Sequence, residues 1–322
     1  MRVRNSCILL CAALLAAACS TTRRLGTDEV LYTGVRKIRI EPDSGVVLSA
    51  VTSLPELFTS LTSTMLLDKP GLAIGNILGS NIFNCAMLAV FIIIYYRSFS
   101  SFKISKSHIT VTITVAAVYA VLFLNMAGIL NIEYFSINIA SVVIVAHYIY
   151  GVFHMSGENG AEPEPSASLG KLSLKEVKRR FALAAVGLVL LSIILTYLTD
   201  GIATRHHLGE GLAGALFLGV ATSLPEAAST MMLFRLGSYN IAVGNIIGSN
   251  LFNVFFVLGC SASLSPLPMG NINNIDMAVL VGSSILFWLV GWFFKKRTIT
   301  RIEGGLLVVC YIAYTAFLIS QQ

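Results

Sequence analysis

The sequence predicts an all-α polytopic membrane protein made of inverted-topology repeats of about five helices, with the first helix missing or replaced. Three observations predict it: the composition, a division into apolar spans of membrane length, and an internal repeat. Of 322 residues, 56% are hydrophobic and 12% charged, and the mean hydropathy is +0.80. A soluble domain carries about 25% charged residues. This excludes a disordered chain, a nucleic-acid-binding domain and a small disulfide scaffold. The net charge of +6 sets membrane topology and does not mark a polyanionic partner. The six cysteines show no metal-ligand spacing, and all but Cys19 lie in apolar runs, as buried thiols do.

A transmembrane helix needs ~20 apolar residues. On that ruler the spans are 45–67, 71–96, 109–130, 135–153, 181–198, 208–233, 239–264, 275–294 and 304–319. The stretch 156–180 is polar and proline-bearing with a basic end, and reads as a cytoplasmic loop between the halves 45–155 and 181–322. Lys and Arg orient the chain. The basic loops at 97–106, 171–180 and 295–301 all fall on one side, whereas the connections at 131–134 and 265–275 hold no Lys or Arg. The positive-inside rule makes the basic side cytoplasmic. The start of 45–67 is then inside and the C-terminus outside, in a multi-pass protein of the cytoplasmic (inner) membrane.

Residues 1–44 form a separate segment. Arg2 and Arg4 precede the apolar run 7–18, and Leu-Ala-Ala-Ala-Cys19 has the form of a lipoprotein cleavage site. Residues 20–44 are polar, and Val35, Ile38 and Ile40 alternate with charged residues as in a strand. The run 19–43 resembles the mature start of lipidated outer-membrane assembly proteins. Cleavage at Cys19 would leave residues 20–44 outside the cytoplasm, opposite to the side that the loop charges assign to residue 45.

Thr52-Ser53-Leu54-Pro55-Glu56 recurs as Thr222-Ser223-Leu224-Pro225-Glu226. Downstream, AIGNILGSNIFN ending at Asn84 recurs as AVGNIIGSNLFN ending at Asn253. Glu56 and Glu226 are 170 residues apart and Asn84 and Asn253 are 169, so the spacing inside the copies is kept to one residue. Five spans, an odd number, separate the starts of the copies. The copies therefore enter the membrane from opposite sides, the plan of many secondary transporters with a midplane site. Residues 1–44 do not match the corresponding 181–213 of the second half, so the likeness begins abruptly inside a helix.

Each copy places its polar residues on one helical face: Thr52, Ser53 and Glu56 at i, i+1 and i+4, and Asn76, Ser80 and Asn84 at steps of four. Glu56 and Glu226 are carboxylates well inside apolar spans. An ionised group there costs at least ~2.5 kcal/mol, so it normally faces a cavity or an ion path. Carboxylate, hydroxyl and amide oxygens suit hard cations such as Ca²⁺ and Na⁺. Pro55 and Pro225 have no N–H and are expected to free the carbonyls of Val51 and Ala221. Gly71, Gly75, Gly79, Gly244 and Gly248 form small-xxx-small stripes suited to helix packing. Packing readings exist for the polar groups too: an interhelical hydrogen-bonded Glu, and Asn84 or Asn253 bridging helices.

On these paired signatures, residues 45–322 resemble the sodium/calcium exchanger family of the cation/calcium antiporter superfamily. The resemblance implies ten helices in two inverted five-helix repeats around central Na⁺ and Ca²⁺ sites. It further implies that Glu56 and Glu226 are shared carboxylate ligands. Thr52, Ser53, Thr222, Ser223, Ser80 and Ser249 would then supply hydroxyl or carbonyl oxygens, and Asn84 and Asn253 would complete the shell. Many family members carry Asp at one of the two Asn positions. Here both are Asn, so the site holds two formal negative charges. The family's first helix and the start of its second are not recognisable in residues 1–44.

The expected function is secondary antiport of Ca²⁺ against Na⁺ or H⁺ by alternating access, with the ions as substrates, no cofactor, no nucleotide and no nucleic acid. No Walker-type loop occurs in either half, and the sequence names no protein partner. The alternatives are a non-transporting remnant of an exchanger and a polytopic membrane enzyme using Glu56 or Glu226 as acid or base. The enzyme lacks an accompanying nucleophile or metal cluster, and the chain is expected not to be an enzyme.

Overall fold

The computed structural model describes residues 49, 51–104, 112–113, 133–134, 137–138, 174–254 and 299–320. Residues 1–48, which hold the segment 1–44, lie outside these, as do most residues of the expected spans 109–130, 135–153 and 275–294.

Helix α1 is Leu54–Met65, reached through a helical turn that breaks at Ser53 (φ −88°, ψ 9°). Pro55 stands in its first turn, where a missing N–H costs no helical hydrogen bond. The chain then turns sharply at Asp68, whose φ of 55° is one that Asp tolerates better than most residues. Pro70 opens α2, Pro70–Ile94, and α3, Tyr96–Phe99, continues from it. The second half begins with α4, Leu174–His206, followed by α5, Glu210–Ala213. A π-helical turn, Gly214–Leu218, leads into α6, Gly219–Thr222. A break at Ser223 (φ −84°, ψ 2°) precedes α7, Leu224–Arg235. Helices α8, Tyr239–Phe252, and α9, Arg301–Ser320, complete the described elements.

The two signature segments therefore adopt the same shape. Each is a helix interrupted at the serine two residues before its proline, then a tight corner, then a second helix. Gly237 (φ 76°) turns the second corner as Asp68 turns the first. In the second copy the interruption bends the axis by 42°, and Glu210–Thr222 and Leu224–Arg235 are together long and apolar enough for a broken span or a re-entrant loop. Among the described residues, Pro70–Ile94, Ala182–His206 and Arg301–Ser320 are also long and apolar enough to cross a bilayer. This is a polytopic, essentially all-α membrane protein.

Three sequence expectations are corrected. Glu133–Tyr134 pairs antiparallel with Ile137–Asn138, so residues 137–138, expected inside the span from residue 135, are strand. Their backbone groups pair across the two short segments, with Glu133 opposite Asn138 and Tyr134 opposite Ile137, rather than along a helix. Helix α4 begins at Leu174, inside the stretch read as loop, and Arg180 pairs with Glu176 one turn earlier (2.7 Å). Such i, i+4 pairs support a helix that leaves the apolar region. The carbonyl of Ala221, expected to be free opposite Pro225, accepts from the backbone amide of Ser223.

Helix α2 is the axis of the described fold, packed against α1, the π turn, α6, α7, α8 and α9. Gly75 and Gly79 bring its backbone against the second repeat. A Cβ on Gly75 would collide with the Gly211 carbonyl oxygen, and one on Gly79 would lie 2.5 Å from Ala215 Cα. The packing role expected of these two glycines is thus present as backbone contact. Below the crossing, Phe91, Tyr95, Phe99 and Phe102 interlock with Phe234 and Tyr239, with ring centroids 5.4–6.3 Å apart. These rings join the end of α2 to the α7–α8 corner. At the opposite end, Lys69 forms an ion pair with Asp200 of α4.

Candidate functional site

Where the broken helices meet α2 and α8, the expected site residues come together. Glu56, Glu226, Ser53, Ser223, Ser80, Ser249, Asn84 and Asn253 have no exposure, and Thr52 and Thr222 are buried. Each helix interruption carries a serine across to the other repeat. Ser53 Oγ donates to Glu226 Oε1 (2.9 Å), and Ser223 Oγ donates to Glu56 Oε1 (3.1 Å). Ser249 Oγ also reaches Glu226 Oε1 (3.4 Å). Ser80 Oγ donates to the Gly219 carbonyl (3.1 Å) and lies 3.3 Å from Thr222 Oγ1. Thr52 Oγ1 meets the Ser49 carbonyl (3.3 Å).

The asparagines follow the same cross-repeat rule. Asn84 Nδ2 donates to Asn250 Oδ1 (3.0 Å), and Asn253 Nδ2 donates to Asn81 Oδ1 (3.1 Å). Two turns before Asn84, and within its own repeat, Asn76 Nδ2 donates to Ser60 Oγ (3.2 Å) and to the Glu56 carbonyl (3.3 Å). Its counterpart Asn245 donates to Ser229 Oγ and Thr230 Oγ1, both at 3.0 Å. The Ser53 and Ser223 bonds, the Asn84 and Asn253 bonds, and the Asn76–Ser60 and Asn245–Thr230 bonds each interchange when the two copies are interchanged.

Among the described residues, the groups left without a partner are nearly all oxygens of this centre. They are Glu56 Oε2, Glu226 Oε2, Asn84 Oδ1, Asn253 Oδ1, Asn245 Oδ1 and Thr59 Oγ1. A buried polar atom with no partner costs about 1–3 kcal/mol, and more when charged. Two carboxylate and two amide oxygens are thus buried and unsatisfied on the helices that carry the signatures. Their donor chemistry is that of a hard cation: oxygen only, with two formal negative charges and hydroxyls in reserve.

All ten expected site residues are thus buried and hydrogen-bonded, in groups centred on Glu226, on Glu56 and on the paired asparagines. Sequence reasoning missed Asn81 and Asn250, which hold the amides of Asn253 and Asn84. The signal was present, since both recur in the repeat and stand three residues before those asparagines. It also left out Ser60 and Asn245, which hydrogen-bond within the buried polar groups, and Thr59, whose buried Oγ1 has no partner.

The family described as sodium/calcium exchanger protein matches residues 7–156 and 180–320. The match begins at residue 7 and so includes residues 7–44, which the comparison of the two halves left unmatched. Inner membrane protein YrbG of Escherichia coli (strain K12) is 28% identical over 286 residues, covering 84% of each chain. Sodium/calcium exchanger MaX1 of Methanosarcina acetivorans is 34% identical over 113 residues, 34% of this chain and 31% of that one. The solved structure of sodium-calcium exchanger NCX_Mj soaked with 2.5 mM Na⁺ and 1 mM Sr²⁺ superposes with a TM-score of 0.56 at 26% identity. It covers 85% of this chain and 86% of that chain.

Proposed function

We infer the activity of this chain from one premise: it belongs to the sodium/calcium exchanger family. Its reading is a secondary active antiporter of the inner membrane that exchanges Ca²⁺ for Na⁺, or for H⁺, by alternating access. The observation that carries this reading is the set of unpartnered oxygens on Glu56, Glu226, Asn84 and Asn253, buried where the two repeats cross. Ca²⁺ takes six to eight oxygen ligands. Four unpartnered oxygens, with the hydroxyls of Thr52, Ser53, Ser80, Thr222, Ser223 and Ser249 beside them, are enough to begin such a shell.

Charge supports exchange over one-way binding. Two carboxylates balance one Ca²⁺ or two Na⁺, so both loads compete for the same oxygens. Each Oε1 is already held by a serine of the other repeat, which leaves Oε2 for the ion. Because each half contributes one carboxylate and one serine–carboxylate bond, a rocking of one half against the other would alter both ends of the site. Inverted repeats use this geometry for alternating access.

The test is Ca²⁺ uptake into proteoliposomes containing the full chain, driven by an outward Na⁺ gradient or by a pH gradient. Glu56→Gln and Glu226→Gln each remove a charged ligand from a low-dielectric site, a loss of about 3–5 kcal/mol, or more than a hundredfold in affinity. Uptake should fall to background in both, with membrane insertion retained. Parent-level uptake in Glu226→Gln would mean that the carboxylate is structural. Dependence on only one of the two gradients identifies the coupling ion.

A further inference from the structure

We propose that Asn81 and Asn250 are positioning residues that fix which end of the Asn84 and Asn253 amides faces the ion. The inference rests on reading Asn84 and Asn253 as ion ligands. A side-chain amide has an oxygen acceptor and a nitrogen donor of nearly the same shape. Only the oxygen attracts a cation, while the NH₂ presents partial positive charge. Rotating the amide by half a turn therefore converts a ligand into a repulsive group with no change in volume. A ligand asparagine needs a partner that recognises its nitrogen and holds it away from the site.

Asn250 supplies that partner for Asn84, because its Oδ1 is the acceptor for Asn84 Nδ2 at 3.0 Å. Asn81 supplies it for Asn253 at 3.1 Å. In each case the oxygen of the held amide is the atom left without a partner. A flipped Asn84 would set its oxygen against Asn250 Oδ1, losing a bond and adding repulsion. The holders are themselves held. Asn250 Nδ2 reaches the Asn81 carbonyl (3.4 Å) and Cys85 Sγ (3.4 Å), and Asn81 Nδ2 reaches the Asn250 carbonyl (3.5 Å). With both amide nitrogens spent on acceptors, the Oδ1 of each holder is the end that faces its ligand asparagine. All four asparagines are buried in this conformation. The bonds also cross between repeats, so each half orients a ligand of the other.

The experiment is Ca²⁺ titration of the full chain in detergent, read as the midpoint of the Ca²⁺-dependent rise in melting temperature. The variants are Asn84→Ala, Asn250→Ala, Asn250→Asp and the double variant Asn84→Ala/Asn250→Ala. Asn250→Ala should weaken the midpoint about tenfold, equivalent to about 1.4 kcal/mol. Asn250→Asp keeps an acceptor for Asn84 Nδ2 and should not weaken it. The double variant should match Asn84→Ala, because Asn250 acts through Asn84, and a merely structural role would add instead. Three results overturn the inference while leaving the ligand reading intact. They are a parent-like midpoint in Asn250→Ala, additivity in the double variant, or an Asn250→Asp midpoint as weak as that of Asn250→Ala. An unchanged midpoint in Asn84→Ala sinks the ligand reading itself, and the inference with it. If Asn250→Ala does not fold, Asn81→Ala, acting through Asn253, carries the same comparison.

Discussion

Alanine at Gly79 probes how closely the two repeats must approach for the site to form. A methyl group there would sit 2.5 Å from both Cα and the carbonyl oxygen of Ala215, where ordinary contact begins near 3.4 Å. The helices would have to separate by about 0.9 Å, because the opposing atoms are backbone and cannot rotate away. Two terms compete. Alanine is favoured over glycine inside a helix by about 0.8–1.0 kcal/mol. Overpacking costs about 1–3 kcal/mol, so the net effect is a loss of up to ~2 kcal/mol. The same displacement carries Ser80 away from the Gly219 carbonyl and from Thr222, contacts of 3.1 and 3.3 Å that have no slack to absorb it. Gly201, with nothing within 4 Å of a would-be Cβ, isolates the propensity term. The assay is thermal unfolding of the purified protein with and without Ca²⁺. Gly79→Ala should lower the apparent Tm by a few degrees, at ~2–4 °C per kcal/mol, and shrink the Ca²⁺-induced rise. Gly201→Ala should leave Tm equal or higher. A Gly79→Ala protein that melts at the parent temperature with an undiminished Ca²⁺ response would refute the close-approach argument.

Two further outcomes follow from the geometry. Ser53→Ala and Ser223→Ala each strip a donor from a buried carboxylate, worth about 1.5–3 kcal/mol. Each should weaken the Ca²⁺ midpoint ten- to a hundredfold and to a similar extent, and parent-like binding would show that the serines do not orient the carboxylates. The Lys69–Asp200 pair ties the α1–α2 corner to α4 and is partly exposed. Lys69→Gln should cost up to ~1 kcal/mol, read as a drop in Tm that disappears at high salt. A salt-independent drop would assign the effect to packing.

Much of the site was legible because a membrane span that tolerates Glu, Ser, Thr and Asn at helical spacing, twice, leaves few uses for them. Hydropathy placed Glu56 and Glu226 inside the bilayer, the repeat paired them, and steps of four put Ser80 and Asn84 on one face of a helix. What the repeat could not show is which copy each side chain serves. Local spacing suggests that Ser53 attends Glu56, three residues away, yet its hydroxyl bonds Glu226, 173 residues distant. That assignment depends on the two helix breaks crossing, a relation set by the backbone contacts of Gly75 and Gly79. The role of Asn81 and Asn250 was hidden for the same reason, since their partners lie in the other half.

Burial was undetermined by the sequence for a different reason. The most apolar stretches of Pro70–Ile94 and Ala182–His206 have mean hydropathies of 2.2 and 2.3, yet 78% of the first is buried and only 17% of the second. In water, apolar periodicity marks the buried face because the other face must be polar. In a bilayer the lipid is as apolar as the protein interior, so composition alone does not separate a central helix from a peripheral one. The sequence by itself determined the membrane class, the duplicated polar signature and the oxygen chemistry of its residues. The tertiary structure decided which of the described helices is most enclosed, which buried oxygens stay unpartnered, and that serines and asparagines of each repeat bond the carboxylates and asparagines of the other.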